Sequence, residues 1–181
     1  MSVKKNRAVF FDRDGVLNSA IIINGKPSPP LTIEEVNIIE NGDNLLYKLV
    51  DAGFILIGIT NQPDVARGTQ TREMVESINQ YLMSKLPLKE IKVCYHDDKD
   101  YCDCRKPKPG LIFQAAKEYN IDLSCSFLVG DRWRDVEAGL NAGLKTIWIN
   151  NGYNEKTPDL KNVKEVFSLK EAVNFILENT R

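Results

Sequence analysis

Two stretches concentrate the side chains that can do chemistry. One is "DRDGVLN", Asp12 to Asn18. The other is "VCYHDDKDYCDCRKPKPG", Val93 to Gly110, which holds the single histidine and three of the four cysteines. In the first, Asp12 and Asp14 stand one residue apart just after an apolar run. Two carboxylates held so close are costly unless a cation answers them. Mg²⁺ is the natural one, because it takes hard oxygen ligands and keeps positions for water and phosphate. Asp12 can then serve as metal ligand and nucleophile. Asp14 could offer its backbone carbonyl to the metal and keep its carboxyl free to carry a proton, with Gly15 permitting the tight turn. The plainer alternative is an acidic turn that solvates a strand end.

Three more places carry chemistry of the same kind. In "ITNQPDVARG", Thr60 and Asn61 follow an apolar run and could hydrogen-bond a phosphate oxygen through hydroxyl and backbone N–H; otherwise this is a polar turn. Lys106, in "CRKPKPG", could balance charge on a phosphoryl group or be an ordinary surface lysine. In "VGDRWRD", Asp131 is placed to reach the same metal as Asp12, while Asp135 is either a supporting partner or a first-turn helix acid. The cysteine stretch itself forms either disulfides or a metal site. Cys94-x-His96 and Cys102-x-Cys104 supply three thiolates and one imidazole, a complete tetrahedral Zn²⁺ set with no open position. Residues i and i+2 of an extended chain point the same way, so each pair can grip one ion. Iron is the alternative metal for so thiolate-rich a set. Cys125, in "SCSFLVG", reads as a buried strand residue.

The elements that must position these residues are short apolar runs alternating with amphipathic stretches. "RAVFF", "FILIGIT", "IKVCYH", "CSFLVG" and "KTIWIN" read as buried strands. "NLLYKLVDAG", closed by Gly53, reads as a helix, as does "TREMVESINQYLMSKL" with Thr71 as its N-cap. "PGLIFQAAKEYN", "RDVEAGLNAG" and "SLKEAVNFILEN" read as further helices. Such alternation implies βαβ units: an α/β fold with a Rossmann-like parallel sheet and helices on both faces. Ligands in such sheets bind beyond the carboxyl ends of the strands, where all the residues above lie. The segment "NGKPSPPLT" reads as a surface loop near the exit of the first strand. The expected organisation is one domain over residues 1–181, with no inserted stretch long enough for a large cap domain. Loops Asn18–Leu31 and Asn61–Gln70 and the short zinc loop would cover the site.

An apolar content of 43% and a net charge of -1 suit a globular protein and argue against nucleic acid or an anionic membrane as the main partner. The run "AVFF" is far too short for a signal-peptide core, and no stretch approaches a membrane span. A cytoplasmic location follows as the expectation. There thiols stay reduced, which favours metal over disulfides; a disulfide would also leave His96 unexplained. Nothing demands an oligomer, so a monomer is expected.

Taken together, "DRDGV", "TN", the lysine and "GDRWRD" resemble the four motifs of the haloacid dehalogenase superfamily of phosphohydrolases, across nearly the whole chain. The resemblance implies a Mg²⁺-dependent phosphomonoesterase with Asp12 as nucleophile and Asp14 as general acid and base. Asp12, the Asp14 carbonyl and Asp131 would hold Mg²⁺, with Thr60 and Lys106 on the phosphoryl oxygens. The C-x-H…C-x-C loop is similar to that of one branch, which contains heptose 1,7-bisphosphate 7-phosphatases and histidinol-phosphate phosphatases. Heptose enzymes typically carry "NQSGIARG" and "CRKPKPG"; here the matches are "NQPDVARG" and "CRKPKPG". The resemblance thus implies a small phosphorylated sugar as substrate, with Asn61, Gln62, Arg67, Arg105 and Arg132 contacting it, since a second phosphate needs guanidinium partners. Pro63-Asp64 departs from the usual Ser-Gly, Arg132 stands where a lysine often follows the motif aspartate, and the zinc loop is short, like that of the histidinol-phosphate enzymes. Trp133 either lines the site or packs, with packing the expectation.

Overall fold

The computed structural model describes residues 5–180. The chain opens with strand β1 (Arg7–Phe11) and then a small antiparallel hairpin of β2 (Ile21–Ile23) and β3 (Lys26–Ser28). Helix α1 (Gly42–Asp51) and strand β4 (Phe54–Asn61) follow, then a single turn α2 (Asp64–Arg67), helix α3 (Arg72–Lys85) and strand β5 (Glu90–Cys94). After the cysteine loop come α4 (Gly110–Glu118), β6 (Phe127–Gly130), α5 (Trp133–Asn141), β7 (Lys145–Ile149), β8 (Val163–Val166) and α6 (Leu169–Glu178).

Six strands form one parallel sheet in the order β5-β4-β1-β6-β7-β8. Alternation along β1 sets the two layers. Val9 and Phe11 pack into a core with Leu46 and Leu49 of α1, Ile78 and Leu82 of α3, and Val173 and Ile176 of α6. Ala8 and Phe10 face the other way, onto Leu111, Ile112 and Ala115 of α4 and Ala138 of α5. From β1 the chain runs outward through β4 and β5, then returns to β6 and runs the other way. The reversal falls between β1 and β6, and the carboxyl ends of the central strands open there.

Local signals act as expected at several ends. The Thr71 hydroxyl accepts from the Met74 N–H at 3.2 Å and starts α3. Gly53 takes φ +86° just past α1, a conformation glycine reaches without strain. Three expectations need correction. The "NGKPSPPLT" segment is not merely a loop: Asn24 and Gly25, at φ +52° and +76°, turn the β2–β3 hairpin. Strand β8 is an addition to the five apolar strands; its "VKEV" lies at a sheet edge with only Val166 buried. Cys125 is exposed, in a helical turn capped by Asp122, and the inward position belongs to Ser126, whose hydroxyl accepts from the Ala8 N–H at 2.9 Å.

Candidate active site

Asp12, Thr60 and Asp131 come together because β1, β4 and β6 are neighbours and each ends at the same edge. Lys106 reaches in from the loop before α4. Its ammonium donates to Asp12 at 2.7 Å and to the Ile59 carbonyl at 2.9 Å, and pairs with Asp135 at 2.6 Å. Burial would lower the Lys106 pKa, but Asp12 and Asp135 outweigh it and raise it, so the cation persists. Asp12 titrates at about 6, pushed up by burial and by the Asp135 charge against the pull of Lys106. Asp135 is both a first-turn helix acid and a partner in the site, since it also accepts from the Arg132 N–H at 3.0 Å. Gly130 makes room for it: a Cβ there would collide with the Asp135 side chain.

Asp14 lies outside this carboxylate group. Its side chain accepts from Arg13, from Asn18 at 3.0 Å and from Gln62 at 2.9 Å. Arg13 is wholly buried and also donates from Nη1 to Asn79 of α3 at 3.0 Å. Thus the positive group beside Asp14 is the arginine between the two acids. Gln62 is only 2% exposed and also donates to the Thr60 hydroxyl at 2.8 Å. It sits behind Asp14 and Thr60 and positions both. Asn61 exchanges hydrogen bonds with the Lys106 backbone, both at 3.1 Å, and so fixes the lysine loop.

A cavity of about 220 Å³ stands over Asp12, lined also by Asp14, Thr60, Asn61 and Lys106, with Pro27, Ser28 and Pro29 of the hairpin segment on one side. Arg67, Arg132 and Arg134 line it as well. Arg67 grips Asp97 with two hydrogen bonds of 2.9 and 2.7 Å, and Arg132 pairs with Glu155 at 2.6 Å. Arg105 is not in this lining; it donates to Asp98 at 2.9 Å on the cysteine loop and borders a smaller neighbouring cavity of about 150 Å³. Arg134, which pairs with Asp98 at 3.1 Å, stands in the lining instead and was not among the expected residues. Trp133 is on the far side of Asp131, stacked by Lys156 at 4.3 Å and Arg134 at 4.7 Å.

Among the described residues, two groups are able to hold metal. Asp12, Asp131 and Asp135 each offer a carboxylate oxygen within 4.8 Å of the others. Against them stands one ammonium, so two negative charges are left over, the charge of one divalent cation. Asp131 Oδ1 is moreover buried with no hydrogen-bond partner, and burial together with Asp12 and Asp135 pushes the Asp131 carboxyl well above its ordinary range. A hard dication fits these residues. The Cys94, His96, Cys102 and Cys104 ligand atoms likewise lie within 4.8 Å of one another. Cys104 Sγ is 3.1 Å from Cys94 and 3.5 Å from Cys102, Cys94 is 3.7 Å from Cys102, and His96 Nδ1 is 3.3 Å from Cys104. Sulfurs bound at ~2.3 Å to a tetrahedral zinc lie about 3.7 Å apart, whereas a disulfide needs ~2.05 Å. These thiols are free, with separations far beyond a disulfide and at or somewhat below those of a zinc set.

A parallel sheet with a buried aspartate–lysine pair, a paired Thr hydroxyl and a carboxylate group at its carboxyl edge defines a phosphohydrolase of the haloacid dehalogenase kind. A HAD-hydrolase-like family model matches residues 103–172. The D-glycero-beta-D-manno-heptose-1,7-bisphosphate 7-phosphatase of Helicobacter pylori strain J99 is 39% identical, over 91% of this chain and 97% of its own. The D-glycero-alpha-D-manno-heptose-1,7-bisphosphate 7-phosphatase of Campylobacter jejuni is 30% identical, over 96% and 98%. In fold, the D,D-heptose 1.7-bisphosphate phosphatase of B. bronchiseptica, solved with magnesium and phosphate, matches with a TM-score of 0.77 at 24% identity, over 95% of this chain and 98% of that one. The chain belongs to the heptose-1,7-bisphosphate phosphatase family of haloacid dehalogenase-like hydrolases.

Proposed function

We propose that the protein is a Mg²⁺-dependent phosphomonoesterase that removes the 7-phosphate of D-glycero-D-manno-heptose 1,7-bisphosphate. The observation that carries the reading is the buried Asp12–Lys106 pair, at 2.7 Å, on the floor of a cavity rimmed by arginines. Asp12 attacks the phosphorus in line; a new Asp12–phosphorus bond forms as the bond to the sugar oxygen breaks. Asp14 gives the leaving oxygen its proton, then takes one from the water that cleaves the aspartyl-phosphate, releasing phosphate and restoring Asp12. Lys106 and Thr60 face the phosphoryl oxygens, with Asn61 holding the lysine in place. Asp12, Asp131 and the Asp14 carbonyl would hold Mg²⁺, which would supply charge neutralisation on the phosphoryl group. Arg67, Arg132 and Arg134 suit the distal phosphate, since guanidinium forks match phosphate oxygens. Cys94, His96, Cys102 and Cys104 would fill all four positions of a tetrahedral zinc, whose role would then be structural. A cytoplasmic monomer acting on a soluble sugar is consistent with this assignment. No helix among the described residues is long and apolar enough to cross a membrane.

The test is phosphate release with Mg²⁺ from the α and β heptose 1,7-bisphosphates, histidinol phosphate and fructose 1,6-bisphosphate. A preference of about a hundredfold, ~2.7 kcal/mol of transition-state discrimination, for one heptose anomer is expected. Faster turnover of histidinol phosphate would overturn the substrate. Asp12→Asn should retain less than a few per cent of activity; more than that would remove Asp12 as nucleophile.

A further inference from the structure

We propose that Asn151 and Tyr153, on the loop after β7, position the Asp131 carboxylate and thereby set how tightly the site holds its divalent cation. This rests on Asp131 as a cation ligand and extends the site by two residues outside the lining of the cavity over Asp12. The Tyr153 hydroxyl donates to Asp131 Oδ2 at 2.7 Å. The Asn151 amide nitrogen lies 3.0 Å from the Gly15 carbonyl, 3.3 Å from the same Oδ2 and 3.0 Å from the Tyr153 oxygen. One amide therefore joins the turn after the nucleophile, the carboxylate and the tyrosine. From β7 itself, the Trp148 indole donates to the Asp131 carbonyl at 2.9 Å and fixes the backbone.

The torsion that turns an aspartate carboxylate is broad and nearly two-fold, so backbone alone does not choose which oxygen faces the cation. Here Oδ2 is engaged from the β7 side, and Oδ1, buried and without a partner, is left for the ion. Gly15 is part of the same fit. At φ +93°, its turn passes so close that a Cβ would run into the Asp131 carboxylate and the Tyr153 hydroxyl. The loop is anchored independently of the tyrosine: the Asn154 N–H donates to the Gly25 carbonyl of the hairpin turn at 3.0 Å, and Glu155 pairs with Arg132 at 2.6 Å. On its other side Tyr153 borders a cavity of about 290 Å³ shared with Trp133 and Trp148. A phenylalanine ring can therefore occupy the same place without the hydroxyl.

The experiment is a calorimetric titration of Mg²⁺, repeated with Mn²⁺ followed by electron paramagnetic resonance, without substrate. The proteins are the wild type, Asp131→Asn, Tyr153→Phe and Asn151→Ala. Loss of an outer hydrogen bond to a metal ligand typically weakens affinity about 10- to 100-fold. Tyr153→Phe should fall in that range, with an unchanged melting temperature in cation-free buffer and with kcat recovering at saturating cation. Asn151→Ala should shift the affinity in the same direction. Binding lost in Asp131→Asn but unaltered in both Tyr153→Phe and Asn151→Ala would overturn the inference while leaving the cation site standing. Undiminished binding in Asp131→Asn would overturn the cation site and the inference together.

Discussion

Arg13 stands between the two acids that open the site, and its side chain is 0% exposed. A guanidinium cannot shed its charge, so burying one demands a fixed counter-charge. Asp14 is that counter-charge, at 2.9 Å, and Asn79 accepts a further N–H at 3.0 Å. Asp14 thus has two tasks, proton transfer in the proposed reaction and neutralisation of Arg13 in the fold. The substitution Asp14→Asn should show both. Loss of a general acid–base group costs about 10²–10⁴-fold in kcat, and removing one partner of a buried pair costs about 3–5 kcal/mol of stability. Turnover and denaturant unfolding measured on the same variant separate the two. A dead enzyme of unaltered stability would mean that Arg13 finds its counter-charge elsewhere.

At the scale of elements, β5 is an edge strand, joined to β4 alone in the sheet. It is tied to α4 by Lys92, which pairs with Glu118 at 2.7 Å and with Glu90 at 3.0 Å. Burial alone would lower the Lys92 pKa, but the two carboxylates outweigh it and raise the value above that of an ordinary lysine. A raised pKa in the folded state means stability that is present below the unfolded lysine value, ~10.4, and lost as pH climbs through the folded one. The wild type should therefore lose more stability than Lys92→Met as pH rises above about 10.4, with both followed by thermal unfolding. Parallel curves would show that the pair does not hold this seam. The same scale explains what could be read in advance. The central strands are continuous apolar runs, and Asp12, Thr60 and Asp131 each lie at or just after such a run, so both sheet and site were legible. The β2–β3 hairpin escaped because Pro27 and the prolines after it argue for loop, although Asn24-Gly25 is a turn signal. Strand β8 escaped because an edge strand half open to water has no apolar run to show. Asn79, Asn151, Tyr153 and Arg134 escaped for a different reason. Each reaches the site through the order of strands and the facing of helices, which no local pattern encodes, and Arg105 failed to join the cavity lining for the same reason.

For the molecule as a whole, the cysteine loop acts as a strut across the mouth of the site. Asp97 and Asp98, next to His96, receive Arg67 from α2, Arg105 from the loop itself and Arg134 from α5. Arg67 holds the Asp97 carboxyl well below the usual range, but solvent screens exposed pairs of this kind and each adds little stability. They cannot by themselves fix a loop rich in like charges. Zinc at a four-ligand site, worth about 10–16 kcal/mol in small peptides, can. With zinc bound, His96 and the three cysteines hold Asp97 and Asp98 where the arginines need them, and Cys104 holds the backbone two residues before Lys106. Stripping zinc should therefore lower both stability and turnover even with Mg²⁺ in excess. At free zinc a hundred times its Kd the folded state gains about 2.7 kcal/mol, roughly 5–10 °C in Tm for a chain of this length. The measurement is metal content by mass spectrometry, then Tm and kcat before and after treatment with a zinc chelator, with zinc added back. One zinc per chain, a lowered Tm and turnover restored by zinc but not by Mg²⁺ are expected. A stripped protein that melts and turns over like the untreated one would show that the ion pairs and packing hold Lys106 without the metal.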